Sequence, residues 1–329
     1  MRLVALFFIF ITPLSHSFEF DRVCGDFTTP AKNTSAALML SGGSGGNKPG
    51  EKEATREWLT LSGGGDFLVI RSNGVGSQAK WACRTFPEFV KSAAEISIDS
   101  IEDANHPAVN QLIKEAEVIW IAGGDQNRYE DFWKGTKLSQ SLNEHVQSKA
   151  IGGTSAGMAI LGSSYYAPRY KKAVIGSELL NDPYHKESQD LFHDDLIQHP
   201  LLENTFNETH VDRVIEGETR HSRLAGFLAR AQAENPKEKM RAIGLNEASY
   251  IVTDEFGVGK VYGQKAYFVQ ANDRPKTLKA KQPISDFKMQ VYVIEANPNG
   301  YGEISLMTWQ GFTGGQSQSW KIERGELVY

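Results

Sequence analysis

The sequence is poor in the features that mark several protein classes. It carries only two cysteines in 329 residues, Cys24 and Cys83. Two thiols cannot build a disulfide framework, and no Cys/His spacing points to zinc, so no metal is expected. The glycine-rich run Ser41–Gly46 has no Lys-Ser/Thr after it and lacks the G-x-G-x-x-G spacing. That removes the common phosphate-cradling loops. No apolar run beyond Leu14 is long enough to span a bilayer. An excess of basic charge is missing too. The formal net charge is −5, which argues against nucleic acid or an anionic membrane as a partner. Internal repeats are not evident.

What is present starts with a short leader. Met1-Arg2 is a positive start, Leu3–Leu14 is apolar, and Ser15-His16-Ser17 supplies small residues for cleavage after Ser17. Residues 1–17 read as a signal peptide, too short for a comfortable span, with an uncleaved anchor as the alternative, and the protein as exported, periplasmic or secreted. In an oxidising compartment Cys24 and Cys83 could pair; two buried unpaired thiols are the alternative. The remainder, 40% hydrophobic and 23% charged, is long enough to bury a core.

Short apolar runs alternate with helical spacing along the first half. Strands are expected at Ala36–Leu40, Phe67–Ile70, Glu95–Ile98, Val118–Ala122 and Ala150–Ile151. Helices are expected at Glu51–Ser62, Trp81–Ala94 (with Pro87 a possible break), Ala108–Glu115 and Leu138–Gln147. Such alternation predicts an α/β fold with a doubly wound parallel sheet. Ligands then sit at the carboxyl ends of the strands. Three glycine-rich loops, after Leu40, Ala122 and Ile151, fall at such ends. Ser163–Phe206 is polar and resists assignment. Arg220–Ala233 reads as a helix, and Ala242–Tyr329 is mostly strand-like. The boundaries drawn are 18–282 for the catalytic domain and 283–329 for a β-rich C-terminal extension.

One stretch carries a chemical signature. Gly153-Thr154-Ser155-Ala156-Gly157 fits the G-x-S-x-G nucleophile elbow. Glycines flank the serine because strand and helix must approach closely around a strained backbone. The helix start behind it offers free N–H groups to an oxyanion. A serine needs a base, and seven histidines follow the leader: His106, His145, His185, His193, His199, His210 and His221. His145 reads as a solvated helix residue and His106 precedes a proline. Composition does not choose among the others.

Ile121-Ala122-Gly123-Gly124-Asp125-Gln126 followed by the Gly153–Gly157 elbow resembles the cyanophycinase-like serine peptidases (peptidase family S51), a group that includes aspartyl dipeptidases. Asn207-Glu208-Thr209-His210 is similar to the motif bearing that family's catalytic histidine. Ile243–Glu247 resembles its later Gly-hydrophobic-x-Glu segment. The likeness runs from about Ala36 to Gln270. It implies a flavodoxin-like or class I glutamine-amidotransferase-like sheet. It also implies Ser155 as nucleophile, His210 as base and Glu247 as the orienting acid. Asp182 is the alternative acid, by analogy with the dipeptidase branch. Gly124 and Ala156 would form the oxyanion hole, and Asp125, Gln126, Arg220 and Arg223 would bind substrate. Surface salt bridging is the other reading of the two arginines.

The sequence departs from the family pattern around the histidine. Glu208-Thr209 replaces the usual Asp-Gln, Val211 the usual aromatic, and Glu218 a further arginine; roughly Asp212–Gly217 is inserted. Serine hydrolysis therefore survives the likeness better than cyanophycin as the substrate does. The expectation is an exported serine peptidase for aspartate-containing peptides or isopeptides, with no cofactor, a peptide as partner, and homodimerisation as a family expectation. An amidase or esterase on the same sheet, and a binding protein without turnover, are the competing classes.

Overall fold

Apolar runs too short for helices become buried strands, and they assemble into two sheets. The computed structural model describes residues 18–27, 34–43, 48–170, 172–193 and 196–329. The expected leader 1–17 lies outside them, as do Ser44, Gly45 and Gly46 of the first glycine-rich loop. In chain order the first half runs β1 (Phe20–Cys24), β2 (Leu38–Ser41), α1 (Glu51–Ser62), β3 (Gly65–Arg71), α2 (Gln78–Thr85), β4 (Val90–Ser97), α3 (Ile101–Asn105), α4 (Pro107–Glu115), β5 (Val118–Ile121), α5 (Gln126–Trp133), α6 (Lys137–His145), β6 (Ala150–Thr154) and the single turn α7 (Ala156–Ala159).

β4-β3-β5-β6-β2 form the parallel centre of a nine-stranded sheet. Its strands are buried on both faces, as βαβ crossovers require. Alternate residues divide between two cores. Met39, Phe67 and Val69 pack with Trp58 and Leu59 of α1. Leu38, Leu40, Leu68 and Ile70 pack with Val109 and Ile113 of α4 and Leu138 and Leu142 of α6. Helices thus cover both faces, which is the doubly wound arrangement. Cys24 and Cys83 are joined, tying β1 to α2 with their Cα atoms 6.6 Å apart.

The second half supplies β7 (Ser164–Tyr166), α8 (Gly176–Asn181), β8 (Leu191–His193), β9 (Thr205–Glu208), α9 (His221–Glu234), β10 (Arg241–Leu245), β11 (Ser249–Thr253), β12 (Val258–Gly263), β13 (Lys265–Ala271), β14 (Phe287–Glu295), β15 (Tyr301–Ser305), β16 (Gln316–Glu323) and β17 (Glu326–Val328). β11, β12 and β15 extend the first sheet antiparallel from β2. The rest form an eight-stranded sheet in the order β17-β16-β14-β13-β10-β9-β7-β8. α8 and α9 pack on that sheet through Leu179, Leu180, Leu224, Phe227 and Leu228. β9 and β10 are parallel neighbours within it, so their carboxyl ends lie side by side.

Two local expectations change. The helix expected over Trp81–Ala94 ends at Thr85, because Pro87 forces the preceding residue out of helical geometry; Phe86 sits at φ −130°. The chain then enters β4 at Val90. His145 is not solvated: it is buried, its Nε2 lies 2.9 Å from the Ala150 carbonyl oxygen, and burial pushes its pKa down to about 4. The stretch from 283 onward is β-rich, as expected, and pairs with both sheets: β14 pairs with β13 through Met289–Glu295, and β15 edges the first sheet. Among the described residues no helix is long and apolar enough to cross a membrane.

Candidate active site

Ser155 sits between β6 and α7 with φ 51° and ψ −118°, a region that a non-glycine residue enters only when its surroundings over-determine it. Those surroundings are tight. A Cβ on Gly157 would lie 2.2 Å from the Ile121 carbonyl oxygen, and one on Gly153 would lie 2.5 Å from the Gly157 carbonyl carbon. Only glycine allows the strand, the turn and the end of β5 to meet there. The Ser155 amide donates to the Ser41 carbonyl at 3.1 Å, which pins the turn to β2.

The elbow faces the carboxyl ends of β9 and β10 from the other sheet. His210 follows β9 with φ 50°. Its Nε2 lies 2.7 Å from Ser155 Oγ, and its Nδ1 lies 2.7 Å from Glu247 Oε1. Glu247 follows β10 and is steadied by its own amide, which donates to Asp212 Oδ1 at 2.8 Å. The backbone of the first glycine-rich loop forms a seat for the imidazole. Gly42 accepts from the His210 amide at 2.8 Å. A Cβ on Gly43 (φ +116°) would lie 2.1 Å from His210 Cε1. Any side chain there would strike the ring. Burial pushes the His210 pKa below its ordinary value, opposed by the bond to Glu247. The ring is therefore neutral and able to accept a proton near neutral pH.

Asp182, the alternative acid, lies elsewhere. Its Oδ1 accepts from the amides of Tyr184 at 3.2 Å and Lys281 at 2.8 Å, which ties the end of α8 to the β13–β14 connection.

Ala122-Gly123-Gly124-Asp125 abuts the elbow: a Cβ on Gly123 would be 3.3 Å from Ser155 Cβ. The Tyr129 hydroxyl donates to the Ala122 carbonyl at 2.7 Å and reaches the Gly123 carbonyl at 3.4 Å. Asp125, Gln126, Arg220 and Arg223 all line one cavity of about 360 Å³, together with Tyr166 and Arg169. The two arginines differ. Arg223 is bound by Glu208, its Nε and Nη2 donating to the two carboxylate oxygens at 2.8 and 2.6 Å. This buried bidentate pair leaves Arg223 no free fork for a substrate. Arg220 donates from Nη1 to the Thr209 carbonyl at 2.9 Å and keeps its buried Nε without a partner. Burial, then the nearby Arg223 charge, pulls its pKa down to about 10. Its counter-charge is shared and distant: Nη1 lies 3.9 Å from Glu208 Oε1, on the carboxylate that Arg223 already forks.

The arrangement has a family to match. A model of peptidase family S51 fits residues 38–255, about two thirds of the 329. The chain belongs to peptidase family S51. As an S51 member it is a peptidase, and all of Ser155, His210, Glu247 and the 123–126 loop fall within the matched span. Among solved structures, a peptidase from an acI-B1 Actinobacterium is similar at 18% identity and a TM-score of 0.48, over 71% of this chain and 91% of that one. A putative peptidase E from Listeria monocytogenes EGD-e is similar at 12% identity and a TM-score of 0.36, over 66% and 94%. No curated protein matches the chain significantly.

Several residues of this S51 site have contacts that no sequence motif reveals. Gly43 beneath the imidazole, Asp212 behind Glu247 and Glu208 on Arg223 are placed by tertiary packing. Tyr129 had a readable signal: it stands three residues after Gln126, on the same face at the start of a helix.

Proposed function

We propose that the protein is an exported serine peptidase that cleaves aspartate-containing peptides or isopeptides through an acyl-enzyme on Ser155. The observation that carries this reading is the continuous contact from Ser155 Oγ through the His210 ring to Glu247, 2.7 Å at each step. His210 Nε2 takes the Ser155 proton as the oxygen attacks the scissile carbonyl, and later delivers it to the leaving amine. Glu247 holds the tautomer with the proton on Nδ1 and stabilises the imidazolium. The amides of Gly124 and Ala156 receive the oxyanion. Support for Gly124 comes from its neighbour's carbonyl: the Gly123 oxygen lies on the Tyr129 side, 3.4 Å from that hydroxyl, and a trans peptide points its N–H opposite its carbonyl, so the Gly124 N–H points away from Tyr129. Such a donor is worth about 100-fold or more in rate.

The substrate class follows from charge. Arg220, whose buried Nε has no hydrogen-bond partner, lines the same cavity as Gln126 and Asp125. A substrate carboxylate satisfies that guanidinium, and Asp125 suits a basic group on the same ligand. A β-aspartyl-arginine unit, the repeat of cyanophycin, has both. The test is mass spectrometry of products from purified protein offered cyanophycin, β-aspartyl dipeptides and neutral dipeptides. Cleavage confined to aspartyl substrates, with Arg220→Met raising KM more than it lowers kcat, is expected. Equal cleavage of neutral dipeptides would discard the acidic specificity, and turnover of esters alone would discard the peptidase reading.

A further inference from the structure

We propose that Glu178, His185 and Glu187 bind a divalent transition-metal ion of the zinc class, at a site separate from Ser155 and its partners. One ligand atom from each lies within 4.8 Å of the others. Glu178 stands in the first turn of α8. His185 caps the short 3-10 turn Lys186–Ser188, and Glu187 lies within that turn. The three are thus carried on two rigid elements joined by a short link.

The decisive atom is Glu187 Oε2. It is buried and has no hydrogen-bond partner, and it lies 4.0 Å from His185 Nδ1. A carboxylate oxygen removed from water without a partner is costly. An ion between the imidazole and this oxygen removes that cost. Ligand atoms about 2.1 Å from a tetrahedral ion stand about 3.4 Å apart, so the three side chains draw in from separations of up to 4.8 Å when the ion binds. Closure displaces the long 3.4 Å bond from the Glu187 amide to His185 Nδ1, and Glu178 joins at the expense of either its Oε1 contact with Lys172 or the 3.3 Å bond that its Oε2 accepts from the Ile175 amide. One imidazole and two carboxylates select zinc or a neighbouring first-row ion over calcium or magnesium, which take oxygen ligands only. The tetrahedron's fourth position falls to water.

Lys172 is the natural competitor. Its ammonium lies 3.2 Å from Glu178 Oε1 and 3.0 Å from Glu216 Oε1. These contacts are largely exposed, and such pairs are weak, so the lysine can turn wholly to Glu216 when an ion arrives. The site has a structural consequence. Glu187 also accepts, through its backbone carbonyl, from Tyr166, and Tyr166 lines the cavity beside Arg220. The ion therefore braces a wall of the substrate cavity without entering it.

Isothermal titration of the tag-free protein with Zn²⁺ tests this. One saturable equivalent is expected in the wild type, with a rise in the thermal midpoint. His185→Ala and the nearly isosteric Glu187→Gln should each weaken binding at least about 100-fold, since even indirect supports of a metal cost 10–100-fold when removed. Lys172→Met should tighten it several-fold. No saturable Zn²⁺ binding by the wild type, undiminished binding by both ligand variants, or Ca²⁺ bound in preference to Zn²⁺ would overturn the proposal.

Discussion

The two sheets contribute to the site in different ways. The first sheet delivers Ser155 by a local device, a strand, a glycine-flanked turn and one helical turn within a dozen residues. The second delivers His210 and Glu247 by juxtaposition, from the ends of two strands that are neighbours only after folding. In the first case the strain at Ser155 is held by contacts to β5 and β2. In the second the imidazole is held by a bare backbone, Gly42-Gly43, reaching across from the first sheet. The proposed nucleophile is thus specified locally, whereas the proposed base depends on the packing of two sheets against each other.

The comparison breaks most sharply if the two contributions do not act as one unit. Ser155→Ala and His210→Ala should each lower kcat at least about 1,000-fold, and the double variant should be no worse than either alone. Steady-state kinetics on an aspartyl substrate reads this. Multiplying losses would mean that serine and histidine serve separate steps.

Next in size is the choice of acid. Glu247→Gln should cost between about 100- and 10,000-fold in kcat, while Asp182→Asn should stay within about twofold. Glu247 raises the His210 pKa against the burial that lowers it. Its loss therefore moves the acid limb of the kcat/KM profile to lower pH. A limb that moves up, or does not move, would remove Glu247 from the imidazole.

Gly43→Ala sharpens the contrast at the join between the sheets. The added methyl strikes His210 Cε1 and sits on a backbone at φ +116°. A loss of roughly 1–3 kcal/mol in stability is expected from the backbone strain alone, together with a fall in kcat as the ring is pushed from Ser155. Denaturant melts and kinetics separate the two, and unchanged kcat would show that the seat does not position the ring.

The smallest effect concerns stability against pH. His145 and His199 are buried, with pKa values pushed down to about 4 from 6.5. As pH falls below 6.5 the unfolded chain takes up protons first. Stability is therefore full above about 6.5 and declines between 6.5 and 4, by at most about 3.5 kcal/mol per histidine. Urea melts across that window measure it. His145→Gln should flatten its share of the slope, and an unaltered slope would exclude His145 as a source.

Much of the first sheet was legible because its grammar is short-range. Glu51–Ser62 is a helix with those bounds, and Val118–Ile121 is a buried strand running into glycine, as the apolar run implies. The His145 reading failed although its signal was present. Leu138, Leu142 and His145 recur at helical spacing, so the histidine shares the buried stripe. The polar stretch from Ser163 to Phe206 was opaque for another reason. Its strands β7, β8 and β9 are three or four residues each and find their partners across long connections. Local pattern carries little there. The same limit hid the proposed base: His210 is 55 residues from Ser155 and 37 from Glu247. Only the family likeness pointed to it, and only the parallel pairing of β9 with β10 explains why the two residues meet.

The central claim is that the Ser155 hydroxyl is made nucleophilic by the imidazole beside it. Intact-mass spectrometry after exposure to a fluorophosphonate tests this most directly. The account predicts a single adduct on Ser155 in the wild type, none in Ser155→Ala, and labelling slowed at least about 1,000-fold in folded His210→Ala. A wild-type protein that stays unlabelled like the alanine variant, or His210→Ala labelled at the wild-type rate, would contradict it.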